Sequence, residues 1–213
     1  AQNHDQVGNR MLGERLAALT TPRRLRLAAG AVLLSPYVPL LFMGEEYGET
    51  NPFLYFVSHG DEALAAAVRE GRKKEFAAFG WKEEPPDPQA AETFERSRLD
   101  WSKPEGGAHA GTLEFYKRLT ALRRSDPSLG PVGRQDLVVR ANPENRTLSL
   151  FRRKGRNSTY TVFNFGRRAA SRALPPGRWA QIFSSEGTPA PRHAASAAAL
   201  PPESFKVFRR TDI

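Results

Sequence analysis

The residues best equipped for chemistry stand at the head of the sequence: Gln2-Asn3-His4-Asp5-Gln6, then Val7-Gly8-Asn9-Arg10. No apolar residue separates Gln2 from Gln6. Such a run does not suit a core strand, because each buried polar group without a partner costs kilocalories. It suits the rim of a site where amide, imidazole, carboxylate and guanidinium groups converge on a polar ligand. Imidazole beside carboxylate supplies donors next to a fixed negative charge, a combination fitted to a ring rich in hydroxyls. The Asp5 carboxylate is also placed to stabilise positive charge that develops as a carbon–oxygen bond breaks. A second polar cluster, Gly44-Glu45-Glu46-Tyr47-Gly48-Glu49, follows the apolar run Leu40-Leu41-Phe42-Met43.

The elements around these clusters explain how they meet. Leu12, Leu16 and Leu19 have helical spacing after Arg10. Thr21 is a suitable N-cap and Pro22 a suitable first helical residue. From there Leu25, Ala28, Ala29, Val32 and Leu33 recur on one helical face until Ser35-Pro36 stops the run. Leu40–Met43 is then expected to be a short strand buried on both faces, as in a parallel sheet covered by helices. Strand, glycine and carboxylates in that order make a βα loop at the functional end of a barrel or open sheet. Helix followed by parallel strand is one βα repeat, and the opening motif falls where the preceding strand would end. Both polar clusters are therefore expected on one face. Glu45 and Glu46 have a plainer reading too, as first-turn carboxylates favoured by a helix dipole.

Residues 50 to 110 read as a long insertion, with a helix capped by Asp61 and carrying Leu64 and Val68, and breaks at Pro85-Pro86-Asp87-Pro88 and Gly106-Gly107. Trp81 and Trp101 are expected to pack, although flat rings can also stack on sugars. A further helix over 112–124 carries Phe115, Leu119 and Leu122 and ends at Asp126-Pro127. Beyond Gly130 the pattern changes to short strands at 137–140, 147–152, 158–164, 180–184 and 205–209 separated by turn signals, as in an antiparallel sandwich. Residues 188–199, rich in Ala and Pro, read as a loose loop. The expected division falls after Ser128, giving domains 1–128 and 129–213.

Composition excludes several functions. The 213 residues contain no cysteine, which removes disulfides, thiolate metal sites and cysteine nucleophiles and fits a reducing cytoplasm. No apolar run is long enough to span a bilayer, so no membrane partner is expected. The chain opens on Ala1 and a polar motif, without initiator Met or a basic n-region, and its start is read as a cut. The charge of +9 is spread mostly in pairs such as Arg23-Arg24 and Arg152-Arg153, with no interleaved aromatics, so a solvated basic surface is favoured over nucleic acid. His59, His109 and His193 stand too far apart to suggest a metal site, and no cofactor is assigned.

Asn3-His4-Asp5, followed at a distance by Phe42-Met43-Gly44-Glu45-Glu46, resembles the α-amylase family of glycoside hydrolases. The resemblance implies an α/β plus all-β fold: the C-terminal portion of a (β/α)8 barrel, then an antiparallel β-sandwich. The opening motif would lie at barrel strand seven and the second motif at strand eight. Further stretches, Phe76–Trp81 and Arg96–Trp101 among them, resemble family members that cleave the α-1,4 bond next to the terminal trehalose unit of a maltooligosyl trehalose. Branching enzymes typically carry Ser-His-Asp-Glu where this chain has Asn3-His4-Asp5-Gln6. The resemblance makes Asp5 the transition-state carboxylate and His4 a sugar ligand. Asn3 and Gln6 would brace or line the site, and Arg10 and Glu45 would assist. The family's nucleophile and general acid match nothing here, so the chain is expected to need the missing N-terminal part of its barrel and to be inactive alone. Glycogen branching and debranching enzymes, and a carbohydrate-binding module without chemistry, stay open.

Overall fold

The computed structural model describes residues 1–81, 83–187 and 196–212. They form two compact units, one of Ala1–Thr20 with Leu41–Leu113, the other of Thr21–Leu40 with Glu114–Ile213.

The second unit is built on alternation. Strands β1 (Leu137–Asn142), β2 (Thr147–Lys154), β3 (Asn157–Asn164), β5 (Trp179–Ser184) and β7 (Ser204–Arg210) form one antiparallel sheet in the order β1-β2-β3-β7-β5. β4 (Ala170–Ala173) and β6 (Ala197–Leu200) form a second, two-stranded sheet. Successive side chains in a strand point to opposite faces, and each face of the larger sheet carries a packed core. On one face Leu150, Phe163, Phe205 and Val207 pack against helix α3 (Pro22–Leu33) and against Phe115, Tyr116 and Leu119 of α6 (Gly107–Ser125). On the other face Tyr160, Val162, Trp179 and Phe208 lie under Ala198 and Leu200 of β6. The sandwich is thus present, with a helical layer added behind it.

Two expectations need correcting here. Residues 197–199, expected within a loop, belong to β6; residues 188–195 of that loop, His193 included, lie outside the described residues. α3 begins as expected, with Thr21 Oγ1 accepting from Arg24 N at 3.4 Å and Pro22 at the first helical position. It buries Ala29 and Leu33 of the expected face together with Leu27 and Gly30, while Leu25, Ala28 and Val32 are only partly buried. Gly30 sets this face: a Cβ there would stand 2.2 Å from the Phe205 ring.

The first unit holds α1 (His4–Gly8), α2 (Leu16–Leu19), α4 (Glu62–Ala78), α5 (Ala91–Arg96) and the start of α6. Asp61 caps α4 by accepting from Ala63 N and Leu64 N. α4 buries Ala65 and Phe76 and leaves Leu64 exposed. Edge-to-face ring contacts link Phe42, Phe53, Phe56 and Phe94 at 5.2 to 5.7 Å. The expected strand Leu40–Met43 is not one among the described residues, and Leu40, Leu41 and Met43 are exposed. A strand of that kind is held by neighbours that hydrogen-bond along both edges, and no described segment supplies them. The polar turn that follows is nevertheless firmly built.

Candidate functional site

The opening motif folds into one short capped helix. Asn3 Oδ1 accepts from Asp5 N at 2.8 Å and Gln6 N at 3.2 Å, while Gln6 Oε1 accepts from Asn3 N at 2.7 Å. This reciprocal box satisfies the donors that open a helix, and it uses Asn3 and Gln6 to brace the loop. His4 and Asp5, at the first two helical positions, are left facing solvent. Their side chains are 70% and 68% exposed, with His4 Nε2 3.2 Å from Asp5 Oδ1. Val7 is buried beneath them, and Gln2 Oε1 accepts from Leu16 N at 2.8 Å. The helix is anchored by its apolar side and presents imidazole and carboxylate outward.

In the second polar cluster Glu45 is buried, its carboxylate beside the backbone nitrogen of Ala1. Glu45–Tyr47 form one turn of 3-10 helix between Gly44 and Gly48, both at positive φ. Gly44 has φ 82, and a Cβ there would stand 2.7 Å from Glu49 Cβ, so only glycine fits this close approach. Arg10 is bidentate to Glu14, at 3.1 and 3.3 Å, and therefore enters any site as a pair. Burial opposes ionisation of Glu14, but Arg10 together with hydrogen bonds from the backbone outweighs it and lowers the carboxyl below its ordinary value.

Two residues without an assigned role organise this region. Arg15 is fully buried, donates to Asn51 O and Met43 O at 2.7 Å each, and lies 4.9 Å over the Phe42 ring. Glu49, buried to 1%, accepts from Tyr47 Oη at 3.0 Å, from the amides of Thr50, Asn51 and Asp100 at 2.7 to 2.8 Å, and from Lys103 Nζ. Burial raises a carboxyl, yet Lys103 and these donors win and hold Glu49 down to about 2. Glu49 is thus a structural hub. Its partner Lys103 lies 54 positions away, a distance over which no periodicity carries a signal. Trp81 and Trp101, expected to be packed, are exposed, Trp101 by 68%. Trp101 borders a small apolar pocket of about 240 Å³ with Phe53, Phe56, Phe94 and Leu99. Among the described residues no group of three or more His, Asp or Glu could hold a metal ion, and no helix is long and apolar enough to cross a membrane.

No family model matches the chain. A malto-oligosyltrehalose trehalohydrolase of Rhizobium sp. (strain M-11) is 44% identical over 176 residues, which cover 82% of this chain and 29% of that protein. A protein of the same name from Brevibacterium helvolum is 52% identical over 133 residues, 62% of this chain and 23% of its own length. The chain is a homologue of the malto-oligosyltrehalose trehalohydrolases. It spans between a fifth and three tenths of the curated relatives it matches. A crystal structure of an alpha-amylase candidate from Salmonella typhimurium superposes with a TM-score of 0.80 at 35% identity, covering 99% of this chain and 34% of that one. A pullulanase from Anoxybacillus sp. LM18-11, at 16% identity and a TM-score of 0.59 over 91% of this chain and 25% of its own, shares the fold alone. The trehalohydrolase homologue thus keeps the order of parts expected of the α-amylase family, a capped polar motif, a glycine–glutamate turn and then an antiparallel sandwich.

Proposed function

We propose that this chain is the C-terminal part of a cytoplasmic glycoside hydrolase that cleaves the α-1,4-glucosidic bond next to the terminal trehalose unit of maltooligosyl trehalose, releasing trehalose. Residues 1–128 complete its (β/α)8 barrel and residues 129–213 form the sandwich that follows. The observation that carries this reading is the outward-facing His4–Asp5 pair on a helix that satisfies its own cap. Relatives at 41% to 52% identity that share one printed name support the substrate.

Asp5 is the transition-state carboxylate in this mechanism. As the glycosidic bond breaks, positive charge spreads over the anomeric carbon and ring oxygen, and a fixed carboxylate stabilises that charge more than it stabilises the ground state. His4 donates to the same sugar, and Asn3 and Gln6 hold the loop. Arg10, paired with Glu14, and Glu45 line the site's edge. The nucleophile and general acid come from the N-terminal part of the barrel and stand roughly 5 to 5.5 Å apart, the spacing of a retaining enzyme.

The test is Asp5→Asn in the whole enzyme, an isosteric change that removes the charge alone. The expected kcat for trehalose release falls by about 10²–10³ with an unchanged circular dichroism spectrum. A kcat within a few fold of the parent enzyme overturns the role of Asp5. Transfer of glucan to a new branch, instead of release of trehalose, would assign the same site to a branching enzyme.

A further inference from the structure

The larger sheet of the second unit is five strands wide and the sheet laid on it is two, so the cover is incomplete. β6 roofs the centre of the sheet through Ala198 and Leu200. At the end formed by β1 and β2, a cleft of about 540 Å³ opens between β1, the edge strand of one sheet, and β4, from the other. Its floor is a cross-strand row: Val138 opposes Phe151, and Phe151 opposes Tyr160. Leu174 and Pro175 close one side. This floor is apolar, and its volume lies within the range of ordinary small-molecule sites.

Two guanidinium groups border that apolar floor. Arg140 comes from β1 and Arg172 from β4. Among the described residues neither side chain makes an ion pair, hydrogen bond or ring contact, and no carboxylate lines the cleft. Several other arginines of this unit are matched by carboxylates, among them Arg24 by Glu203, Arg153 by Asp136 and Arg209 by Asp126. Like charges beside an apolar wall repel one another more strongly than in open water, so an anion between them is favoured. A small hydrated anion would leave the aromatic floor unused. A neutral sugar would ask for acceptors as well as donors, and the charged side chains here only donate.

We propose that this cleft binds an amphipathic organic anion, with an aliphatic or aromatic body on the Val138–Phe151–Tyr160 row and a carboxylate or sulfonate head between Arg140 and Arg172. Charge-assisted bonds from two guanidiniums are the strong class of hydrogen bond, and the floor still open to water, with Val138 45% exposed and Phe151 partly buried, supplies the apolar area that the body covers.

The test is calorimetric titration of the full chain with decanoate below its critical micelle concentration. Saturable binding with one site is expected, with decanol and inorganic phosphate each weaker by about tenfold or more. Arg140→Gln together with Arg172→Gln should weaken decanoate by about tenfold or more, since each change removes a charged donor. Arg140 is exposed and Arg172 partly buried, and among the described residues neither side chain bonds to the rest of the fold, so the thermal midpoint should stay where it is. Anilinonaphthalene sulfonate displaced by decanoate in the parent, but not in the double variant, supports the same site for an aromatic body. No saturable decanoate binding, equal binding of decanol, or an undiminished affinity in the double variant overturns the proposal. So does a maltooligosaccharide that competes with decanoate for the cleft.

Discussion

At the scale of single residues, Glu49 shows how a buried charge is kept. Its carboxyl is held down to about 2 from an ordinary 4.5, because Lys103 and four donors outweigh the cost of burial. The folded-state value lies below the unfolded one, so ionised Glu49 contributes to stability above pH about 4.5, and this contribution is lost as pH falls toward 2. The size is about 3 kcal/mol. Glu49→Gln should therefore lower the unfolding free energy by about 2–4 kcal/mol at neutral pH, since it strands Lys103 and mismatches the donors. Urea unfolding of both proteins should show this gap narrowing as pH is lowered to about 3. A gap that stays constant over that range would mean that hydrogen bonding, not charge, sets the cost. Nothing local in Gly48-Glu49-Thr50 announces this role, because the hub exists only when Lys103 and Asp100 fold back upon it. His4 and Asp5 were legible for the opposite reason: a polar run too dense for a core must face outward.

At the scale of elements, two glycines in helices separate propensity from packing. Glycine within a helix costs up to about 1 kcal/mol relative to alanine. At Gly71 in α4 a Cβ would meet no atom within 4 Å, so Gly71→Ala should raise the thermal midpoint by recovering part of that energy. Gly30 in α3 faces the Phe205 ring, where a Cβ would stand at 2.2 Å. Gly30→Ala should instead lower stability, because overpacking costs about 1–3 kcal/mol and exceeds the propensity gain. Differential scanning calorimetry of the two variants reads opposite signs; a rise for both would show that α3 can shift off the sheet without loss. This contact also explains why the helix was legible and only part of its face was. Ala29 and Leu33 of the repeat are buried as expected, yet close approach at Gly30 turns Leu27 inward and leaves Leu25, Ala28 and Val32 only partly buried. The strands at 147–154 and 157–164 announced themselves by alternation and β-branched or aromatic residues, whereas β4 and β6 did not. Ala170-Ser171-Arg172-Ala173 and Ala197-Ala198-Ala199-Leu200 are built largely from small residues, which give no period to detect, although Ala198 and Leu200 pack with Tyr160 and Trp179. The cap of α1 admits a further change. Asn3→Ala should cost about 1 kcal/mol of local helix stability. If the proposed function holds, in the whole enzyme it should lower kcat for trehalose release through misplacement of His4 and Asp5, whereas Asn3→Asp, which can still cap, should restore most of it.

At the scale of the whole molecule, the segment Tyr37–Met43 carries the strongest mismatch between sequence and surroundings. Its apolar content was legible and led to the expectation of a buried strand, but Tyr37, Val38 and Leu40 are 75%, 85% and 65% exposed. Contiguous apolar surface of this kind marks a place where something else belongs. The segment is anchored at its ends: Arg123 donates to Ser35 O and Tyr37 O, and Arg15 holds Met43 O. Between them, the sequence has strand character and no ladder. If residues 1–128 complete a barrel, the strands that pair with Leu40–Met43 come from the rest of the enzyme, and closure removes the open edge. Hydrogen exchange distinguishes this from a segment that is irregular by nature. The amides of residues 40–43 should exchange quickly in the 213-residue chain and become protected in the whole enzyme, while those of β3 and β7, already paired, should be slow in both. Fast exchange of residues 40–43 in the whole enzyme would remove the strand from the barrel, and with it the reason for placing Glu45 beside the sugar.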